Sequence, residues 1–150
     1  MGIIDGYGRY CWYRGYGPQV NTVLNVPTLR TIPIPRMIDS HCHLADKQFT
    51  DLAEVLKRAA DEGVDRCITI ADTVLEAVRC VEIATEFSNV FCTVGVHPHA
   101  AKEWDETTEK QLRSFVAQSE KVRAIGEMGF DYHYDHSPRD VQKTVFRAQL

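Results

Sequence analysis

From Met37 to the end of the chain, short apolar runs alternate with stretches in which apolar residues recur at helical spacing. Met37–Cys42 reads as a strand. Leu52, Val55, Leu56 and Ala59 follow at i, i+3, i+4, i+7, and Gly63 stands where a helix end favours a residue free to take positive φ; together they predict a helix over about 47–62. Cys67–Ile70 is the next apolar run, Val74, Ala77, Val78 and Val81 form a second helical stripe, and Val90–Val96 is a third strand stopped by His97-Pro98. A third helix is predicted from about Trp104 to Gln118, and a fourth strand over Val122–Met128. Ser137-Pro138 with Asp140 reads as an N-cap, a proline at the first helical position and a capping-box-like acid. They open a fourth helix with an expected buried stripe of Val141, Thr144, Val145 and Ala148.

No hairpin signal separates the strands, so consecutive strands must pair in parallel through right-handed crossovers, and the fold class is α/β. Residues 37–150 supply about 28 residues for each of the units, and eight units at that rate approach the ~250 residues of a (β/α)8 barrel. The pattern stops inside its fourth helix. The expectation is therefore the first half, about (β/α)4, of a TIM barrel over residues 37–150, with a complete small four-stranded sheet as the alternative. An open half-barrel leaves two parallel edges uncovered, which is a route to self-association.

Residues 1–36 follow none of this. They hold five of the nine glycines, with Tyr7, Tyr10, Tyr13 and Tyr16 at every third position but without aliphatic partners. The stretch reads as a disordered leader or a mis-assigned start, with Pro27, Pro33 and Pro35 forming an extended linker to Met37. It contains no serine, which argues against a transit peptide. No run approaches the ~18 apolar residues of a membrane span, so a membrane or exported protein is not expected.

Composition adds little to the fold and more to the chemistry. The 150 residues are 44% hydrophobic and 25% charged, the usage of an ordinary globular protein with one core. Charge is uneven: residues 1–36 carry net +3, whereas residues 37–150 carry net −7. A body this acidic has no broad electrostatic footprint for nucleic acid, so a polyanionic substrate would need local Arg or Lys, or bound cations. The five cysteines are odd in number and form no C-x-x-C pair, which points to a reducing, cytoplasmic setting.

The chemistry-bearing residues collect at predicted strand ends. Asp39, His41 and His43 alternate along the first strand and so face one way, which lets the two imidazoles share a metal; a satisfied polar cluster is the structural alternative. Glu127 ends the fourth strand between Gly126 and Gly129, where backbone and ligand can approach closely and a carboxylate can bridge two cations. His97 and His99, around Pro98, are candidates for substrate contact, or a purely structural turn. The run Asp131–His136 reads as a loop, with Asp131 its member facing the site. Cys42 points away from the paired histidines and reads as a small buried residue, while Trp104, Phe115 and Phe146 read as packing.

The segments Met37-Ile38-Asp39-Ser40-His41-Cys42-His43-Leu44, Gly95-Val96-His97-Pro98-His99 and Ala124-Ile125-Gly126-Glu127-Met128-Gly129-Phe130-Asp131-Tyr132, followed by Ser137-Pro138 and Gln142, resemble the TatD family of metal-dependent deoxyribonucleases, in order over residues 37–150. The resemblance implies a TIM-barrel hydrolase that cleaves phosphodiester bonds in DNA with two divalent ions, Mg²⁺, Mn²⁺ or Zn²⁺, and carries His41, His43 and Glu127 over as metal ligands. Glu127 would also be catalytic, and His97 and His99 substrate-binding. Phe130 stands where the family usually has Leu. The family's two further histidines and its late aspartate fall in later strands, beyond this chain. Two other readings stay open: a small-molecule amidohydrolase or phosphoesterase, and a half-barrel without activity.

Overall fold

The computed structural model describes residues 36–150, together with the backbone of two short strands, β1 (Ile3–Ile4) and β2 (Tyr10–Cys11), which pair antiparallel. The chain divides into two compact units, Met1–Ile32 and Pro33–Leu150. The leader and linker readings fall almost wholly outside the described residues.

The second unit runs β3 (Met37–Cys42), α1 (Leu52–Asp61), β4 (Val64–Thr69), α2 (Val74–Glu86), β5 (Val90–Val94), a 3-10 helix (Pro98–Glu103), α3 (Glu106–Gln118), β6 (Val122–Ile125) and α4 (Arg139–Gln149). The four strands lie in the order β3-β4-β5-β6, every neighbouring pair parallel. Sequential parallel order with a helix between successive strands is the (β/α)4 arrangement the alternating pattern predicts.

Burial falls off from the centre of the sheet to its edges. Val90, Cys92 and Val94 of β5 are fully buried, whereas β3 and β6 leave most of their residues accessible. On the covered face, Cys67, Val90, Cys92 and Val94 pack with Leu52 and Leu56 of α1, Ala77, Cys80, Ile83 and Ala84 of α2, and Leu112 of α3. Small residues on α2 bring that helix close to the sheet; the buried face is Ala77, Cys80, Ile83 and Ala84, and Val78, expected inside, is 40% exposed. Burial pushes the Cys80 thiol up to about 11 and the Cys92 thiol up to about 12, so both behave as apolar filling.

The element ends differ from the expected ones for local reasons. α1 begins at Leu52 rather than near residue 47, because Asp51 accepts the Glu54 N–H as N-cap while Asp46 turns the preceding chain by accepting the Gln48 N–H. Gly63 follows α1 with φ +91°, as the pattern required. β6 stops at Ile125 instead of Met128, since Gly126 takes φ +155°. Asp105 closes a capping box with Thr108 and opens α3 at Glu106, the stretch before it being 3-10 helix.

Ser137 does not cap α4. Its hydroxyl donates to the His99 carbonyl at 2.8 Å and accepts the Lys102 N–H at 3.0 Å, so the helix starts at Arg139 without a side-chain cap. Of the expected stripe Val145 is buried and Val141 partly so, but Thr144 is exposed, and the buried face is completed by Gln142 and Gln149. The rotation follows from where the Gln142 and Gln149 amides bond, on Asp131 and Val96.

One buried hydroxyl ties this core to the strand end carrying the paired histidines. Thr69 is fully buried, and its Oγ1 accepts the N–H of Leu44, the residue after His43, at 3.1 Å. Thr69→Val keeps the shape and leaves that N–H without its acceptor, so unfolding in urea is expected to report a loss of about 1–3 kcal/mol, with Thr69→Ser close to wild type. Equal midpoints for Thr69→Val and wild type would show that the hydroxyl contributes nothing.

Candidate metal centre

Residues at the C-terminal ends of β3 and β6 converge. His41 Nε2 and His43 Nε2 lie 3.2 Å apart, and Glu127 Oε2 is 3.5 Å from His41 Nε2. One ligand atom from each of the three residues falls within 4.8 Å of the other two. An ion bonded to two imidazoles at about 2.1 Å holds their nitrogens roughly 3.0–3.4 Å apart, from octahedral to tetrahedral angles. The histidine pair has that spacing, and two imidazoles with a carboxylate suit a divalent cation of the Zn²⁺ or Mn²⁺ kind. The donor set therefore fits a metal. Asp39, although on the same strand, is engaged elsewhere: its carboxylate accepts the His41 N–H at 3.1 Å.

The backbone delivers Glu127 to this point. Gly126 N–H donates to the Val94 carbonyl at 3.0 Å, and Glu127 N–H to the Ala71 carbonyl at 3.2 Å, across a Gly126–Glu127 peptide bond that is cis. The approach is possible because Gly95 has no side chain: a Cβ there would lie 2.6–2.8 Å from the backbone of Gly126.

His97 flanks the other carboxylate oxygen, with Nε2 3.6 Å from Glu127 Oε1. Its Nδ1 accepts the His99 N–H at 3.1 Å, so in the neutral ring the proton sits on Nε2, facing Glu127. Burial pushes the His97 pKa below its ordinary value, against the pull of Asp72 and Glu127, and the ring is neutral at pH 7. In that state its Nε2–H is a donor to an anionic oxygen. His99 is turned to a different partner, Asp131 Oδ2, at 2.7 Å. Burial works to raise the Asp131 pKa, but the N–H groups of His133 and Tyr134 together with His99 outweigh it and hold the carboxylate below its usual range. Asp131 is thus linked to the triad through His99 and His97 rather than joining it.

Cys42, between the paired histidines in sequence, lies against the core with its thiol 3.3 Å from the Ile68 carbonyl. Its hydrogen bond with Cys67 and its burial push its pKa far up, leaving a thiol that is not a nucleophile.

Two buried glutamines, not picked out by the helical pattern as supports, hold the surrounding loops. Gln142 Oε1 accepts the Asp131 N–H at 2.8 Å, and its Nε2 donates to the carbonyls of Asp131 and Ser137, both at 2.9 Å. Gln149 does the same for Val96, accepting its N–H at 2.8 Å and donating to its carbonyl at 3.1 Å. Each amide completes a peptide group in a strand-end loop, as a neighbouring strand would. The detectable signal was the spacing of Gln142, Val145 and Gln149 at i, i+3, i+7.

Residues 38–150 match the family described as TatD related DNase. The chain is 40% identical over 115 residues to the uncharacterized metal-dependent hydrolase YabD of Bacillus subtilis, covering 76% of this chain and 45% of that protein. It is 34% identical over 115 residues to the 3'-5' ssDNA/RNA exonuclease TatD of Escherichia coli K12, covering 76% and 44%. Among solved structures, the TatD homologue YJJV of Escherichia coli K12 superposes with a TM-score of 0.70 at 29% identity, over 77% of this chain and 46% of that one. An uncharacterized amidohydrolase from Saccharomyces cerevisiae, 22% identical, shares the fold with a TM-score of 0.69. The chain spans about half the length of these relatives. With the match running from the first strand of the parallel sheet to the last helix, this chain belongs to the TatD-related DNase family.

Proposed function

We propose that this chain forms the metal-binding half of a metal-dependent hydrolase that cleaves phosphodiester bonds in nucleic acid, DNA in the first instance. The observation that carries the reading is the convergence of His41, His43 and Glu127 at one end of a parallel sheet, the end where (β/α) proteins build their sites. Its support from relatives is the exonuclease named on single-stranded DNA and RNA. In this reading His41, His43 and Glu127 would hold the divalent ions, Mg²⁺, Mn²⁺ or Zn²⁺, with the Glu127 carboxylate available to a second ion beside the first. When bound, such ions polarise a phosphoryl oxygen, lower the pKa of an attacking water and stabilise the leaving oxygen.

The chain's own groups do the rest. His97 turns its Nε2–H towards the Glu127 carboxylate, 3.6 Å away, and the same proton is placed to donate to a phosphoryl oxygen arriving beside that carboxylate. His99, held by Asp131, keeps the His97 turn in place and lines the approach. Cys42, Cys67, Cys80 and Cys92 are free thiols, and among the described residues no helix is long and apolar enough to cross a membrane.

The test, on the intact protein of which this chain is proposed to be one half, is a panel of labelled single-stranded DNA, single-stranded RNA, a small phosphate ester and a cyclic amide, each with Mg²⁺, Mn²⁺ or Zn²⁺ and with EDTA. Metal-dependent cleavage of the nucleic acids alone is the expected outcome. Turnover of the small ester or amide with both nucleic acids untouched overturns it in favour of a small-molecule hydrolase.

A further inference from the structure

Gln149, on the last turn of α4, is buried, and its amide reaches back 53 residues to one residue of another element. Its Oε1 accepts the Val96 N–H at 2.8 Å, and its Nε2 donates to the Val96 carbonyl at 3.1 Å. Ordering a glutamine and taking its amide out of water both cost free energy. Its neighbours are apolar, since Val96 packs with Ala100, Ala101 and Val145 in a small core under α4. A polar side chain kept in that company has a specific use.

That use follows from Gly95. β5 ends at Val94, whose carbonyl accepts the Gly126 N–H, and Gly95 must lack a Cβ so that Gly126 can come this close. The same lack leaves the link between β5 and His97 with the freest backbone a residue can have. Val96 alone separates that link from His97. The His97 N–H donates to the Asp72 carbonyl at 2.9 Å, but one backbone bond leaves a residue free to pivot about it. With both backbone groups of Val96 held by one amide, the pivot is removed. The far side of the turn is held from the same part of the chain, by the Ser137 hydroxyl on the His99 carbonyl at 2.8 Å.

Resting on the nuclease reading for what the His97 proton does, we propose that Gln149 is a positioning residue for His97. By gripping Val96 it keeps the His97 Nε2–H facing Glu127 Oε1, at 3.6 Å, and so beside the phosphoryl oxygen of a bound substrate. Misplacing a reacting group by about 1 Å is enough to cost on the order of 100-fold in rate. A side chain that touches neither substrate nor ion reaches the chemistry in this way.

The test separates aim from stability. Gln149→Met keeps the length of the side chain and loses both bonds to Val96, whereas Val145→Ala, one turn earlier on the same buried face, opens the same small core and leaves the amide in place. Both should lower the melting temperature. Below both melting points, proton NMR of the chain in EDTA reads the nuclear Overhauser contact between the His97 ring and the Glu127 side chain, expected in wild type and Val145→Ala and lost in Gln149→Met. In the intact protein, kcat on single-stranded DNA should fall at least about 10-fold in Gln149→Met, with the Mn²⁺ dissociation constant unchanged, and stay within about twofold in Val145→Ala. Should Gln149→Met not fold, Gln149→Glu, which keeps an acceptor for the Val96 N–H and loses the donor, is read in its place. A His97–Glu127 contact that persists in the Gln149 variant, or a kcat no lower than that of Val145→Ala, overturns the positioning role. An intact wild type that shows the contact, loses it in the Gln149 variant and cleaves no nucleic acid overturns the nuclease reading and leaves the placement of His97 by Gln149 standing.

Discussion

Replacing Glu127 by Gln is expected to lower the affinity of the chain for Mn²⁺ or Zn²⁺ by on the order of 100-fold or more, since loss of a partner only indirectly attached to a metal already costs 10–100-fold. The amide keeps the size and one oxygen of the carboxylate but gives up its charge. In the wild type the two oxygens face two rings, Oε2 3.5 Å from His41 Nε2 and Oε1 3.6 Å from His97 Nε2, so a neutral group loses attraction on either side. Glu127 has no deeply buried partner, and its replacement should leave the melting temperature of the metal-free chain almost unchanged. Titration calorimetry with each ion separates the two effects. An unchanged dissociation constant removes Glu127 from the metal site, and a large fall in metal-free stability assigns it a structural role instead.

Gly95→Ala should damage the same centre from a residue that never touches it. The added methyl group would lie 2.6 Å from the carbonyl carbon of Gly126, 2.8 Å from its Cα and 2.8 Å from its oxygen, all backbone atoms that no rotamer change can remove. Relief requires β5 and the end of β6 to part just where Gly126 bonds to Val94 and the next residue is Glu127. Overpacking of this kind costs about 1–3 kcal/mol, or a fall in melting temperature of roughly 3–10 °C for a chain of this size. Metal affinity should fall with it. Thermal melts followed by circular dichroism, together with the same calorimetric titration, check both; a variant that melts and binds like wild type would mean that the strands have slack at this point.

The part of this architecture legible in the sequence is the part written in periodicity. Met37–Cys42 has the predicted bounds, because a run of alternating residues between proline and polar turns has little choice but to be a strand. Period two along that strand also put His41 and His43 on one face, where the structure brings their Nε2 atoms together. The flanking glycines singled out Glu127, and the structure brings its carboxylate to the same end of the sheet as the two histidines. What periodicity does not carry is polar burial. Ser137 looks like a helix cap and is an anchor between two loops. Gln142 and Gln149 read as solvent-facing positions on a helix, so the expected stripe passed through Val141 and Thr144 instead. A glutamine goes inside only when specific backbone groups wait for it, and those groups belong to loops far away in the chain.

The two glutamine amides give α4 a role beyond covering the sheet. They grip Val96 on one loop and Asp131 on the other. Seven residues of helix, a rise of roughly 10 Å, set the distance between those grips. The spacing of the two loops is therefore gauged by a rigid rod outside the sheet, as the jaws of a caliper are gauged by its beam. A tilt of α4 would carry both jaws together, so displacements of the His97 turn and of the loop that follows Glu127 are expected to be correlated rather than independent. Substitutions along that beam reach the centre without contacting it.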